Sequence, residues 1–243
     1  MCTLSVIPWS ENPSSPGIRL VVNRDESRLR PQAMPPTVEM FGERQAILPR
    51  DRQAGGTWVG VNDAGLAMVL LNAPGAPPPH PMTRGAVIPA LLDAADFDEA
   101  VARAERFDTL SFAPFRLVIL DRTRLAELAF RDWALALRQR IRIERPAMFT
   151  SSGLGDAEVA QPRNRLFAEM FLDSGDWFAT QDAFHRHRWP WRADISVNMS
   201  RPEASTVSQT IVEITKEAVR MTYHGAPPDQ DAMSIALSLR IDS

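Results

Sequence analysis

Apolar and polar residues alternate with a period of two almost from the start of the chain. Leu4, Val6 and Pro8 fall on one face and Thr3, Ser5 and Ile7 on the other, the mark of a strand. Residues 12–17, rich in Pro, Ser and Gly, predict a turn. Residues 18–23 predict a second strand with Ile18, Leu20 and Val22 on one face, so the chain opens on a hairpin. Residues 24–56 are polar and hold Pro31, Pro35, Pro36 and Pro49, which predicts a long loop with one short strand near 46–48. The clearest hairpin joins 57–62 to 66–72 through Asp63-Ala64-Gly65, where glycine supplies the positive φ of a tight turn. After a proline-rich loop over 74–81, apolar spacing at Val87, Leu91 and Ala94–Ala95 predicts two helices, 83–95 and 96–107. Residues 115–120, 125–130 and 133–143 alternate as a three-stranded meander. Helices are expected over 157–172, with Pro162 inside, and over 177–187. Strands are expected over 206–214, 218–223 and 233–240. Strands and helices come in runs, which fits two sheets with helices outside better than a βαβ repeat.

Composition narrows the function classes. The chain has 243 residues, 44% of them hydrophobic, enough for a sizeable core. No repeat or linker divides it, so a single domain over 1–243 is expected. A net charge of −3 with no clustered basic face argues against nucleic-acid binding. Lys216 is the sole lysine beside many arginines. Cys2 is the one cysteine, which rules out an intramolecular disulfide and a cysteine-based zinc site. His185 and His187 fall on different helix faces and His80 and His224 stand alone, so surface or capping roles are expected and no metal site is. Trp177, Trp189 and Trp191 are expected in the core rather than around a ligand. No apolar run approaches the roughly 18 residues of a membrane span. The N-terminus lacks the basic flank and the apolar length of a secretory signal. A cytoplasmic location is the expectation; nothing in the sequence speaks to oligomeric state.

Three constellations could carry chemistry. Removal of Met1 before a small residue would expose Cys2 as the first residue, with its own α-amine beside the thiol. An amine with a pKa of about 8 can take the thiol proton without a histidine. Read alone, Cys2 is as well explained as a small apolar strand residue. Asn23-Arg24-Asp25-Glu26 ends the second strand, and an in-register hairpin returns it beside Cys2. A carboxylate there could hold the α-ammonium and a guanidinium could favour thiolate, although the same residues also make ordinary turns. Asn72 ends the apolar run Met68-Val69-Leu70-Leu71, where its amide could donate to an oxyanion or merely cap the strand. The pair Gly55-Gly56 before Thr57 is too weak to count as a nucleotide fingerprint.

Taken together, the Cys2 strand, Asn23-Arg24-Asp25-Glu26 followed by Arg28 and Pro31, and Gly55-Gly56-Thr57-Trp58 before Asn62 and Gly65 resemble the NRDE family, which includes the transport and Golgi organisation protein 2 homologues. That family resembles the N-terminal-nucleophile (Ntn) hydrolases of the choloylglycine hydrolase and penicillin V acylase branch. The resemblance implies an α+β fold, a four-layer αββα sandwich of two antiparallel sheets. It also implies Cys2 as nucleophile, Asp25 as the carboxylate that orients its amine, and Asn72 as oxyanion donor. Asn23, Arg24, Glu26, Trp58 and Asn62 are then supporting residues. The implied reaction is hydrolysis of an amide or related acyl bond of a small molecule, a carbon–nitrogen bond other than a peptide bond, with no cofactor required.

The sequence departs from the hydrolase pattern at three places. Val22 stands where the hydrolases carry an arginine, with Arg24 two positions on. Thr150, Ser151 and Ser152 stand where an asparagine is usual. Ser205-Thr206-Val207 replaces a Gly-Thr-Arg motif, with Arg201 nearby as a substitute. Eukaryotic members of the family are linked to haem trafficking and to lipid or acyl-CoA homeostasis. The resemblance thus also implies an alternative, a non-catalytic carrier for haem or an acyl-CoA-like ligand.

Overall fold

The computed structural model of the protein describes residues 2–9, 16–131 and 134–241. Its strands in chain order are β1 (Cys2–Trp9), β2 (Gly17–Ser27), β3 (Met34–Phe41), β4 (Arg44–Arg50), β5 (Val59–Asn62), β6 (Ala67–Asn72), β7 (Phe115–Leu120), β8 (Arg124–Arg131), β9 (Ala134–Arg142), β10 (Ala147–Thr150), β11 (Ala204–Ile214), β12 (Ala218–His224) and β13 (Ser234–Arg240). Three α-helices are described: α1 (Phe97–Glu105), α2 (Asp156–Leu172) and α3 (Trp177–Arg186). One six-stranded sheet runs β10-β1-β2-β11-β12-β13, and a seven-stranded sheet runs in chain order from β3 to β9. Every pairing between these strands is antiparallel.

The period-two pattern explains the layering. Leu4 and Val6 of β1 and Leu20 and Val22 of β2 meet Val59, Val61, Val69 and Leu71 of the other sheet in a buried inter-sheet core. The opposite face of the second sheet, with Met68, Leu70, Leu117 and Ile119, is covered by α1 and by Val87, Leu91 and Leu92. Ile7, on the outer face of the first sheet, packs against Phe167 of α2 and Phe184 of α3. The result is the four-layer αββα sandwich, an α+β architecture of two antiparallel sheets. No described helix is long and apolar enough to cross a membrane.

Several elements differ from the sequence expectation. The long loop over 24–56 is instead the end of β2, then β3 and β4. β3 is an edge strand, mostly exposed, and its pairing with β4 shifts register across Pro35 and Pro36; prolines are tolerated at a sheet edge and at bulges because no ladder N–H is needed there. Residues 83–95 hold only a three-residue 3-10 turn, Arg84–Ala86, followed by further turns. Their helical apolar spacing is satisfied by lying on the second sheet rather than by a continuous helix, which Pro89 would interrupt. β10 was not expected at all. His185 is fully buried rather than at the surface: its Nε2 lies 2.7 Å from Ser5 Oγ. His224 is a strand residue in β12. Trp191 is exposed rather than in the core. The expected turn over 12–17 falls largely outside the described residues, as do Met1 and Trp133.

Candidate functional site

The β1–β2 hairpin sets the site. Its register places Cys2 opposite Arg24 and Leu4 opposite Val22, so Arg24 shares the inter-sheet face with Val22 and with Cys2. Asp25, one residue on, points to the helical face. The first sheet ends there in a cavity of about 770 Å³. Cys2, Arg24 and Glu26 line it from one sheet. Trp58 and Asn72 line it from the other, and the loop holding Arg84 closes a third side.

Cys2 is almost completely buried. Its N–H donates to Ser151 Oγ at 3.2 Å, and its carbonyl accepts from the Ser151 N–H at 3.0 Å. The segment after β10, where the asparagine of the hydrolase pattern is missing, therefore fixes the backbone of Cys2 on both sides. Ser152 lines the cavity beside it. Burial pushes the Cys2 thiol above its ordinary range, and the charge of Arg24 does not reverse this. The guanidinium-favoured thiolate anticipated from Arg24 is thus overridden by desolvation.

Asp25 is buried against the helices. Thr206 Oγ1 donates to its Oδ1 at 2.6 Å, and Arg163 of α2 stands 3.9 Å from its Oδ2. Burial raises the carboxyl above its ordinary range, and the charge of Arg163, the Thr206 hydrogen bond and the charge of Arg201 offset this only in part. Thr206 comes from the segment that replaces Gly-Thr-Arg, and Arg201 lies within electrostatic reach, so both halves of that departure converge on Asp25. Arg163 is a hub. It donates to Thr3 Oγ1 at 2.6 Å, to Thr150 Oγ1 at 2.7 Å and to the carbonyls of Ile195 and Ser196 at 2.9 and 2.5 Å. These bonds tie α2 to the ends of β1 and β10, next to Cys2.

On the cavity side, Arg24 lies over the Trp58 ring, 4.3 Å from its centroid. It donates to Asp51 at 2.5 Å and to Glu26 at 3.3 Å. Asp51 also takes both Arg30 bonds, at 2.8 and 2.9 Å, and the N–H groups of Gln53 and Ala54. Burial alone would raise the Asp51 carboxyl, but the bonds from Arg30 and Ala54 and the charge of Arg24 hold it below the usual range.

The structure thus brings together Cys2, Arg24, Glu26, Trp58, Asn72 and Ser152 around one cavity, with Ser151 and Asp25 behind its wall and Arg201 near Asp25. Two expected supporting residues do not join them. Asn23 spends its amide on the carbonyls of His185 and Val197, at 2.8 and 3.2 Å, and its Oδ1 accepts from Gln209. Asn62 donates to the carbonyls of Leu92 and Ala94, both at 2.9 Å, and accepts from the N–H groups of Ala64 and Leu66 inside its own turn. Both are buried scaffold residues whose amide N–H groups are taken by backbone carbonyls. Asp51, Arg30, Arg84 and Arg163 were missed because a single charged residue in a loop or helix looks like a solvated one until the register is known. Among the described residues no group of three or more His, Cys, Asp or Glu side chains could hold a metal ion.

The family model described as Transport and Golgi organisation 2 matches residues 1–166. No curated protein matches the chain. Among solved structures, the Caenorhabditis elegans orthologue of N-acylethanolamine-hydrolyzing acid amidase is similar at 12% identity and a TM-score of 0.58, over 87% of this chain and 92% of that one. A C2A mutant of the conjugated bile acid hydrolase from Clostridium perfringens is similar at 12% identity and a TM-score of 0.54, over 98% of this chain and 92% of that one. At these identities the likeness is one of fold.

Proposed function

The chain belongs to the Transport and Golgi organisation 2 family, and from that membership and the cavity beside Cys2 we propose that it is a cysteine N-terminal-nucleophile hydrolase of an amide or related acyl bond in a small molecule. The observation that carries the reading is the placement of Cys2: in a cavity wall, with its N–H held by Ser151 and with Asn72 facing the same space. The two solved structures named above are of hydrolases, and both have this fold.

In the proposed reaction Met1 has been removed and Cys2 N is the α-amine. The neutral amine takes the proton of the Cys2 thiol. The sulfur attacks the acyl carbon, and the carbonyl π electrons move to oxygen, where the Asn72 amide donates a hydrogen bond to the developing oxyanion. As the tetrahedral centre collapses the carbon–nitrogen bond breaks, and the α-ammonium returns its proton to the leaving amine. Water, deprotonated by the same α-amine, then attacks the thioester. The acid leaves and the thiol is restored. Because burial holds the thiol protonated in the resting state, proton transfer to an amine in the same residue is what makes it a nucleophile. Asp25 supplies the negative charge that favours the α-ammonium, and Thr206 and Arg163 fix that carboxylate. The steps use only groups of the chain and water.

The carrier alternative, for haem or an acyl-CoA-like ligand, finds less support. Arg24, Arg30, Arg84, Glu26 and Asp51 all line the cavity, whereas a carrier for an apolar body would present a mostly apolar wall. The test is direct. Mass spectrometry of the intact protein should find Met1 absent, and Cys2→Ala should lower turnover of an acyl-amide panel by about 10³-fold or more with the fold intact. Retention of Met1, or full turnover by Cys2→Ala, overturns the reading.

A further inference from the structure

Three guanidinium groups, Arg24, Arg30 and Arg84, face the cavity against two carboxylates, Glu26 and Asp51. The carboxylates are already taken. Asp51 binds Arg24 and Arg30, and Glu26 stands 3.3 Å from Arg24 and 3.6 Å from Arg30. Arg84 has no ion-pair partner among the described residues. Its one side-chain hydrogen bond runs from NH1 to the carbonyl of Pro114 at 3.0 Å, a neutral acceptor. Burial lowers its pKa and the charge of Glu26, which forms no contact with it, offsets this only in part, so the guanidinium has lost water without gaining a carboxylate in contact. A second donor on the same wall is unanswered as well: the buried indole N–H of Trp58 has no acceptor among the described residues.

Arg84 is also held in place. The Gly85 carbonyl accepts from the Thr57 N–H at 3.0 Å, and Gly56 and Gly85 approach so closely that a Cβ on Gly56 would lie 2.5 Å from the Gly85 backbone. Pro114 precedes Phe115, which pairs with Asn72, so the anchor of the guanidinium lies on the Asn72 side of the cavity. A fixed, partly desolvated guanidinium with no carboxylate in contact is a site for an anion, and its planar fork matches a carboxylate.

We propose that Arg84 is the recognition residue for a carboxylate on the substrate, so that the bond cleaved at Cys2 belongs to an acyl amide carrying one negative charge. One excess positive charge calls for a monoanion; a phosphate monoester, with close to two charges, would be left over-charged. The inference rests on the hydrolase reading for its substrate but not for its binding site.

The test uses N-decanoyl-alanine, its neutral carboxamide, and N-decanoyl-phosphoethanolamine. The wild-type protein should prefer the carboxylate to the carboxamide by about tenfold to a hundredfold in kcat/KM, expressed mainly in KM, as expected for one charge-assisted pair. In Arg84→Gln that ratio should collapse towards one, and Arg84→Lys, which keeps the charge but not the fork, should retain part of it. An unchanged ratio in Arg84→Gln, no preference in the wild type, or a preference for the phosphate overturns the assignment. If no substrate is turned over, calorimetry separates the two ideas. Saturable binding of N-decanoyl-alanine that weakens at least about tenfold in Arg84→Gln keeps the carboxylate site and removes the hydrolase. Absence of such binding removes the site.

Discussion

A side chain buried as deeply as His185 must settle its protonation in the fold, not in water. Its Nε2 faces Ser5 Oγ at 2.7 Å, and that hydroxyl in turn accepts from Gln181 at 2.9 Å. Burial, and then the charges of Arg19 and Arg163, lower its pKa from 6.5 to about 3. The unfolded chain therefore binds a proton that the native state refuses between those two values. Stability is fully present above pH 6.5 and is lost as pH falls towards 3. Each unit of pH in that window costs about 1.4 kcal/mol, so falling from 6.5 to 5 should remove about 2 kcal/mol before most carboxylates titrate. Thermal unfolding of the wild type and of His185→Gln across this range checks it: the variant starts less stable at pH 8 but should show the flatter slope. Residues of this kind mark the limit of the sequence. Cys2, Asp25 and Asn72 were legible because their spacing belongs to ordered motifs. Arg163, which braces Asp25 and the β1 end, sits in an ordinary charged stretch of helix, and nothing local says that it points inward. Asn62 shows the converse, a motif residue whose amide is spent on its own turn and on the carbonyls of Leu92 and Ala94.

At the level of elements, period and turn chemistry revealed the hairpins, the meander and the C-terminal strands, because one face of each is buried. The β3–β4 pair escaped because β3 is an edge strand with adjacent prolines, and its weak burial leaves no alternation to read. The Gly55-Gly56 pair was legible only as part of a motif; the structure supplies its physics. Gly55 takes a positive φ of 71°, and Gly56 lets two backbones touch. A methyl group at Gly56 meets the Gly85 Cα at 2.5 Å, where no flexible side chain can yield. Gly56→Ala should therefore push the Arg84 loop off the second sheet. We expect a loss of about 1–3 kcal/mol, typical of overpacking, seen as a lower denaturation midpoint, together with faster proteolysis within 73–86. Gly175→Ala, where a Cβ meets nothing within 4 Å, should leave both unchanged.

Across the whole molecule the two sheets are joined in two ways. Along most of their length they share the apolar core that contains Leu4, Val22, Val69 and Leu71. At the cavity end the joints are polar. Arg24 of the first sheet reaches Asp51 at the end of β4, and Arg116 of β7 donates to the carbonyl of Thr150 in β10. Apolar contact alone would close this end and fill the cavity; the paired charges hold it open because they cannot be pressed together without desolvating further. Asp51 is the centre of that joint, since it answers two arginines and two backbone N–H groups. Asp51→Asn would leave both guanidinium groups short of charge, at a cost of about 3–5 kcal/mol, the figure for breaking one side of a buried pair. In a chain of 243 residues that corresponds to a fall in Tm of about 6–20 °C. Glu39→Gln, which breaks the more exposed pair of Glu39 on the edge strand β3 with Arg50 of β4, should cost less than about 1 kcal/mol. The lowered Asp51 pKa fixes the sign with pH. Its stabilisation is present above about 3.8 and lost as pH falls further, so the gap in Tm between wild type and Asp51→Asn should be widest near neutrality and narrow only in strong acid. If the two variants lose equal stability, the sheets are held by their apolar core alone, and the charges at the cavity are there for the ligand rather than for the fold.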